Sequence, residues 1–149
     1  MRSLDIHPFA GALPIEFGMA RTAVAEILGV PNSSNERVDS WGPTMEINIG
    51  YDQNGFVNQI GLAPGKYAVA ITGQTIWCQD DHRDPNPIFL DLDPDPLERV
   101  GFLVFTKIGV ATTGYHDDDP SQRAISVYPT DAWNRLLERA NKSDLIKYK

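Results

Sequence analysis

The chain has 149 residues, of which 42% are hydrophobic and 22% charged, and its formal net charge is −7. This length and composition are typical of one folded domain and exclude a disordered tail, so we expect residues 1–149 to form a single domain. No apolar run reaches the ~18 residues of a membrane span, and the N-terminus lacks a secretory signal. This predicts a cytoplasmic protein without membrane contact, and the alternative is a mature exported protein from which the signal has been removed.

The chain opens with a predicted extended arm, because Pro8 and Pro14 interrupt any helix there. A short helix is predicted over 20–28, where apolar residues recur at helical spacing. Gly29 is placed to take the left-handed conformation that ends many helices. Because so short a helix is unstable alone, its apolar face must be buried against a sheet. That face consists of Val24, Ile27 and Leu28.

Alternating apolar and polar residues predict antiparallel strands in the middle of the chain. A strand over 45–49, a turn sequence at 52–55 and a return strand over 56–62 together predict a hairpin. Residues 67–71 alternate again. The segment 79–96 is rich in aspartate and proline, and we expect it to be a long irregular connection.

The last third of the chain predicts a strand pair over 102–105 and 110–115 and a further strand over 124–128. Thr130 is expected to cap a final helix over 131–140. The core-facing residues of that helix would be Trp133, Leu136, Leu137 and Ala140. The order of elements predicts an α+β fold, in which a short N-terminal helix and a C-terminal helix pack on one face of an antiparallel sheet.

The negative charge is concentrated in one segment. Residues 80–119 contain ten acidic and three basic residues, an imbalance equal to the net charge of the whole chain. Such a field repels nucleic acid and anionic membranes and attracts a cationic partner. The alternative is a set of solvated loops that only keep the protein soluble.

Aromatic residues beside charge are typical of protein interfaces, and Tyr115 is the aromatic residue that we expect to be exposed. Together with the acidic segment, this predicts a protein-binding surface. The predicted partner-binding residues are Asp80, Asp81, Asp84, Asp91, Asp93, Asp95, Tyr115, Asp117, Asp118 and Asp119.

No arrangement of residues predicts catalysis or metal binding. The segment 91–95 resembles the start of a calcium loop, but proline and phenylalanine stand at 96 and 102, where glycine and glutamate are needed. Cys78 precedes His82 by four residues, but it follows an apolar run in which a free cysteine behaves as a small buried hydrophobe. Phosphate-binding glycine loops and nucleophile elbows are absent. We therefore predict no catalytic residue, no metal and no cofactor.

A run over 17–31 carries the pattern Gly-Met-x-x-x-x-Val-x-x-x-x-Gly-x-Pro. It resembles the helix of the outer-membrane small lipoprotein and β-lactamase-inhibitor-protein superfamily. This resemblance implies a small module of helix and antiparallel sheet that binds other proteins and is not an enzyme. The chain has no lipobox cysteine near its start, which argues against an envelope lipoprotein.

Residues 100–105, 108–117 and 123–128 resemble small acidic proteins of bacterial polymorphic-toxin and contact-dependent-inhibition loci. Those proteins serve as immunity proteins, so the resemblance implies a cytoplasmic inhibitor that binds one cognate toxin domain. Many of the toxins are nucleases, which must be cationic to hold their substrate, and an acidic surface competes by mimicking phosphate charge.

The leading hypothesis is thus an immunity protein against a cationic toxin. The alternative is a small hydrolase that uses His82 or His116 as acid and base and aspartates of 80–119 as metal ligands. A third possibility, an envelope assembly subunit, would require an export signal.

Overall fold

The computed structural model describes residues 3–99 and 101–130, which form thirteen strands, two helices and one 3-10 turn. In chain order the elements are β1 (Ser3–His7), β2 (Gly11–Leu13), β3 (Ile15–Glu16), α1 (Arg21–Leu28), β4 (Ser33–Ser34), β5 (Val38–Trp41), β6 (Ile47–Tyr51), β7 (Val57–Leu62), β8 (Ala68–Ile71), β9 (Gln74–Trp77), α2 (Asn86–Leu92), β10 (Leu97–Arg99), β11 (Phe102–Phe105), β12 (Val110–Thr113), the 3-10 turn (Pro120–Gln122) and β13 (Ala124–Val127). This part of the chain is sheet-dominated, with mostly antiparallel pairing. Neither of its helices is long and apolar enough to cross a membrane.

The N-terminal residues are extended, as predicted, but they do not form an arm: they belong to a five-stranded sheet in the order β3-β2-β1-β8-β9. Pro8 and Pro14 stand in the turns between its strands, where a missing N–H removes no ladder hydrogen bond. Strands β1 and β8 run parallel, with Leu4 opposite Val69, which corrects the expectation of a purely antiparallel sheet. Parallel strands are joined by long crossovers, and no local sequence pattern reveals their pairing.

The remaining strands form an eight-stranded sheet in the order β10-β11-β12-β13-β7-β6-β5-β4. The predicted hairpin is confirmed as β6 and β7, in which Ile49 lies opposite Ile60. The predicted pair β11 and β12 and the strand β13 are confirmed as well. Strand β5 is missing from the prediction, because the buried polar residues Asp39 and Ser40 break its alternation.

Helix α1 buries the apolar face that the sequence predicts. Val24 and Leu28 are buried, and Ile27 is partly buried against the core. Gly29 follows the helix with φ of +86°, but its ψ of −165° is extended rather than left-handed helical. The helix residues share one hydrophobic cluster with the predicted strand residues Ile47, Ile49, Val57 and Ile60.

Helix α2 lies inside the segment that was expected to be irregular, which corrects that expectation. Pro85 and Pro87 stand at the start of the helix, where no intrahelical N–H bond is lost and the fixed φ of proline favours the helix. Phe89 is fully buried and meets Phe105 edge-on, with ring centroids 5.5 Å apart. Prolines that predict a break in the chain therefore begin a helix here.

The core has two parts. The main cluster joins both sheets, with Ile6 and Ile71 from the smaller sheet and Leu103 and Phe105 from the larger one. Val104, between these last two residues, belongs to a second cluster, because successive side chains of a strand point to opposite faces. The helix predicted over 131–140 lies outside the described residues, so the packing of two helices on one face remains a prediction.

Candidate functional site

Eight of the ten predicted partner-binding residues lie at least partly at the surface. The remaining two, Asp93 and Tyr115, are buried. The exposed residues are Asp80, Asp91, Asp95, Asp117 and Asp118, and the half-buried residues are Asp81, Asp84 and Asp119.

Asp93 is fully buried and acts inside the fold. One carboxylate oxygen accepts the N–H of Asp95 at 3.2 Å, and the other accepts the N–H of Lys107 at 3.0 Å. The side chain therefore ties the end of α2 to the turn between β11 and β12. This role corrects the prediction that Asp93 contacts a partner.

Tyr115 is only 8% exposed, so the expectation of an exposed aromatic residue is wrong. It follows β12, and the guanidinium carbon of Arg123 lies 5.4 Å from the centre of its ring. Burial raises the pKa of Tyr115, the charge of Arg123 lowers it only in part, and the nearby charges of Asp84 and Asp81 raise it further. Its hydroxyl oxygen is buried and has no hydrogen-bond partner among the described residues.

The loop that follows β9 is organised by Asp81. Its carboxylate accepts the N–H groups of Cys78 at 3.3 Å and Arg83 at 3.1 Å and forms an ion pair with the Arg83 side chain at 2.8 Å. Cys78 itself is exposed, which corrects the prediction of a buried cysteine, because the strand ends one residue earlier. The loop conformation is thus set by internal hydrogen bonds.

Asp84 lies half-buried between this loop and α2. One of its carboxylate oxygens accepts the N–H of Asn86 at 2.9 Å. Burial raises the pKa of Asp84, and the hydrogen bond from Asn86 and the charges of Arg123 and His116 offset this only in part. The two basic side chains therefore lie close enough to Asp84 to lower its pKa, but they do not cancel the effect of its burial.

Three of the four buried polar side-chain atoms that lack a partner in the described part of the chain belong to residues that interact with Asp84, Asn86 through its backbone N–H and Tyr115 and His116 through charge. They are Nδ2 of Asn86, the hydroxyl oxygen of Tyr115 and Nδ1 of His116. Thr112 on β12 donates its hydroxyl to Oδ1 of Asn86 at 2.6 Å, which joins the start of α2 to this strand. Nearly all buried polar groups in proteins are hydrogen-bonded, so such a group of exceptions requires an explanation.

We name Asp84, Asn86, Tyr115, His116 and Arg123 the Asp84 cluster. It arises where the segment before α2 meets the turn after β12. Asn86 and Arg123 are absent from every sequence-based site, and His116 appears only in the hydrolase alternative, because their positions next to Asp84 depend on this contact between distant segments. The only sequence signal is that His116 neighbours the acidic run 117–119.

The turn after β12 is held by its own residues. Asp119 accepts the N–H of Ser121 at 3.1 Å and its hydroxyl at 2.6 Å. Arg123 donates to the carbonyl of Gly114 at 3.3 Å and to the exposed Asp118 at 3.2 Å. Gly114 has φ of +82°, and a Cβ there would collide with the backbone of Arg123 and Asp119. Glycine is therefore required for the turn that brings Arg123 over Tyr115.

A second polar cluster links α1 to the strands β4 and β5. Arg21 donates to Asp39 at 2.9 Å, and Asp39 also accepts the hydroxyl groups of Ser34 at 2.6 Å and Tyr51 at 3.0 Å. Burial acts to raise the pKa of Asp39, but the hydrogen bonds from these three side chains outweigh it and the pKa is lowered. Each of these side chains has a hydrogen-bond partner within the cluster, so we assign the cluster a role in the stability of the fold.

Glu46 carries the fourth unpartnered atom, its buried Oε2. Its side chain fills the space beside Gly42 and Gly65, where any Cβ would collide with it. The carbonyl of Gly65 accepts the N–H of Asp80 at 2.6 Å, so this carboxylate lies beneath the start of the acidic segment. It does not contact the Asp84 cluster through any hydrogen bond in the described residues.

An open groove of about 480 Å³ lies on the smaller sheet and is lined by Phe9, Ala10, Glu16, Phe17, Gly18 and Met19. One carboxylate and no base line this groove, so it offers no group of acids and bases for catalysis. Elsewhere in the described residues, no three His, Cys, Asp or Glu side chains are grouped so as to hold a metal ion. The Asp84 cluster is the candidate site that combines charge with unpartnered polar atoms.

Comparisons with known proteins leave the two sequence resemblances as predictions, and the function is therefore argued from the site. No protein-family model matches the chain, and neither a curated protein nor a solved structure is detectably similar to it.

Proposed function

We propose that the chain is an immunity protein that binds and neutralises a cognate bacterial toxin domain in the cytoplasm, with a cationic nuclease as the expected class. The observation that carries this proposal is the confinement of the net charge to residues 80–119. The carboxylates of that segment are mostly exposed or half-buried. Such a surface attracts a positively charged protein and repels nucleic acid.

Two stretches of the acidic segment act together in this proposal. Asp84 from the first stretch lies within electrostatic reach of His116 from the second and of Arg123, which follows the segment. The loops on either side are held by the internal hydrogen bonds of Asp81 and Asp119. A surface that is ordered before binding loses less conformational entropy on association, which favours tight inhibition.

A hydrolase is the second candidate, because Asp84, His116 and Tyr115 place a carboxyl, an imidazole and a hydroxyl in one region. Groups with shifted pKa values in one cluster are also typical of catalytic sites. An inhibitor only has to bind its toxin, so the proposed function requires no catalytic turnover and the two candidates differ in hydrolytic activity. Hydrolysis of p-nitrophenyl esters or phosphoesters that is lost in an Asp84→Asn variant would favour the enzyme instead.

The proposal is tested with the toxin domain encoded by the neighbouring gene. In the triple variant Asp80→Asn, Asp117→Asn, Asp118→Asn, three exposed charges of the acidic segment are neutralised. Asparagine tolerates the positive φ values of +58° at position 80 and +52° at position 118, so the backbone is preserved. We expect the association rate constant to fall about tenfold at low salt, measured by stopped-flow fluorescence.

The matched control neutralises three exposed glutamates outside the segment, Glu16, Glu26 and Glu36. It changes the net charge of the chain by the same amount, so a local acidic surface predicts a much smaller effect on the rate. Equal effects of both triple variants, or no binding by the wild-type chain, would contradict the proposal and leave the acidic segment as solubilising surface.

A further inference from the structure

The larger sheet buries a row of apolar side chains on the face that points away from the main cluster. The row consists of Leu97 on β10, Val104 on β11 and Ala111 on β12, which are 7%, 2% and 1% exposed. Val104 stands opposite Leu97 on one side and opposite Ala111 on the other. The three side chains are therefore direct cross-strand neighbours, and we call the part of the sheet that carries them the Val104 face.

The described apolar residues that pack against this row lie beside it. Phe102 belongs to β11 itself and Tyr128 directly follows β13, so both are neighbours within the same sheet. Phe9 comes from the turn between β1 and β2, and its ring lies against Gly109, where a Cβ would approach it to 2.9 Å.

These three aromatic side chains are themselves only partly buried. An apolar sheet face becomes buried when a second layer packs on it. The near-complete burial of Val104 and Ala111 thus indicates a covering segment in addition to the three aromatic residues.

The burial ends at the next strand, which locates the covering segment. Ser126 on β13 stands opposite Ala111 and is half-buried, and Gly61 on β7 stands opposite Ser126 and is half-buried as well. The covered area therefore extends over β10, β11 and β12. Neighbouring strands are about 4.8 Å apart, so three strands span about 10 Å.

We propose that the C-terminal segment, residues 131–149, covers the Val104 face. The structure describes the chain up to Thr130, three residues after β13, so the segment begins beside this face. It contains four apolar residues at the helical spacing i, i+3, i+4 and i+7, and eight helical residues extend about 12 Å. This length matches the width of the three strands. The contact residues are Trp133, Leu136, Leu137 and Ala140.

A segment of the same chain is favoured over a separate partner for two reasons. It is tethered a few residues from the face, which gives it a high effective concentration there. The row is also apolar, whereas the partner-binding surface proposed above is charged. A partner is then excluded from this face of β10, β11 and β12.

The assignment differs from the expectation that both helices pack on one face of the sheet. Val24 and Leu28 of α1 belong to the main cluster, together with Leu103 and Phe105 of β11. Val104 stands between these two residues of β11 and points to the opposite face. The C-terminal segment and α1 would therefore lie on opposite faces of the larger sheet.

Nuclear Overhauser effects in the full chain test the assignment directly. We expect contacts between the indole protons of Trp133 and the methyl groups of Val104 and Ala111. The other two tryptophans of the chain, Trp41 and Trp77, are buried in the main cluster and supply the reference signals for that face.

The same spectra contain the outcomes that would overturn the inference. Contacts of Trp133 with Val24 and Leu28 would place the segment on the face of α1. Spectra without contacts to Val104 and Ala111 would show that the segment does not cover their face. A mixture of isotope-labelled and unlabelled chains identifies a second copy as the occupant, because the contacts would then arise only between the two kinds of chain.

Stability in urea provides an independent measurement. Leu137→Ala and Val104→Ala should each lower the midpoint of unfolding, and the double variant should lose less than the sum, because both changes remove the same contact. Val110→Ala is the matched control, since Val110 is buried in the main cluster on the opposite face, and its loss should add to that of Leu137→Ala. Additive losses with Val104→Ala, or coupling to Val110→Ala instead, would overturn the inference.

Discussion

Asp84 combines two properties that are costly for an isolated residue. Its carboxylate is half-buried, and among the described residues only the backbone N–H of Asn86 donates a hydrogen bond to it. The hydroxyl of Tyr115, whose pKa the charge of Asp84 affects, is buried without a partner in the same part of the chain. Proteins retain destabilising groups where activity depends on them, so a trade-off between stability and binding is expected at these residues.

The trade-off predicts a pH-dependent gain of stability in Asp84→Asn. The pKa of Asp84 is raised above its ordinary value of 3.8, so the folded state binds the proton more tightly than the unfolded state. The ionised carboxylate therefore lowers stability as pH rises through the folded-state pKa, and the loss persists at neutral pH. Arg123, His116 and Asp81 are the other charged or titratable groups nearby.

Urea denaturation at two pH values provides the measurement. At pH 7 the asparagine variant should be more stable than the wild type, and near pH 3, where the wild-type carboxyl is protonated in both states, the difference should vanish. Asp91→Asn serves as the control, because its carboxylate is exposed. A variant that is less stable than the wild type at pH 7 would show that Asp84 supports the fold.

At the scale of elements, short segments are stable here only through their contacts. Helix α1 has eight residues, and no side chain caps its N-terminus. It is instead fixed by its buried face and by Arg21, which donates to Asp39 across the second polar cluster. Isolated helices of this length are unstable in water, so the packing of Val24 and Leu28 decides whether α1 forms.

Leu28→Ala should therefore destabilise the protein by about 2–5 kcal/mol, because it leaves a cavity in the main core. Leu28 is only 6% exposed, whereas Val30, two residues later, is 90% exposed. Val30→Ala is the matched control and should cost less than about 0.5 kcal/mol. Equal midpoints for Leu28→Ala and the wild type in urea would place this face of the helix outside the core.

At the scale of the whole molecule, the charge separates into an acidic segment and a balanced remainder. The bases and acids outside residues 80–119 cancel, so the field of the protein originates from one third of its chain. Long-range steering by such a field depends on ionic strength, whereas close contacts that are shielded from water depend on it much less.

Association with the toxin domain should therefore slow steeply as salt is added, while dissociation should change little. The Debye length falls from ~30 Å at 0.01 M to ~8 Å at 0.15 M ionic strength, which removes most of the attraction before contact. Stopped-flow mixing over this range gives the two rate constants separately. A salt-independent association rate would show that the acidic segment has no steering role.

Local patterns in the sequence predict the elements that are determined by residues close together in the chain. The alternation and turn residues of β6 and β7 predict their hairpin, and the helical spacing of Val24 and Leu28 predicts the buried face of α1. The net charge and its confinement to one segment follow from composition alone. Each of these properties depends on residues that are close together in the chain.

Only the tertiary structure decided the parallel pairing of β1 with β8, the burial of Asp93 and Tyr115, and the Asp84 cluster. These features arise from contacts between segments far apart in the chain, which no local pattern encodes. Nothing in the sequence distinguishes Asp93 from the exposed aspartates around it. Its carboxylate is buried where it accepts hydrogen bonds from two backbone N–H groups. The acidic character of the segment was thus determined by the sequence, and the grouping of Asp84 with His116 and Arg123 was determined by how the segments before α2 and after β12 pack together.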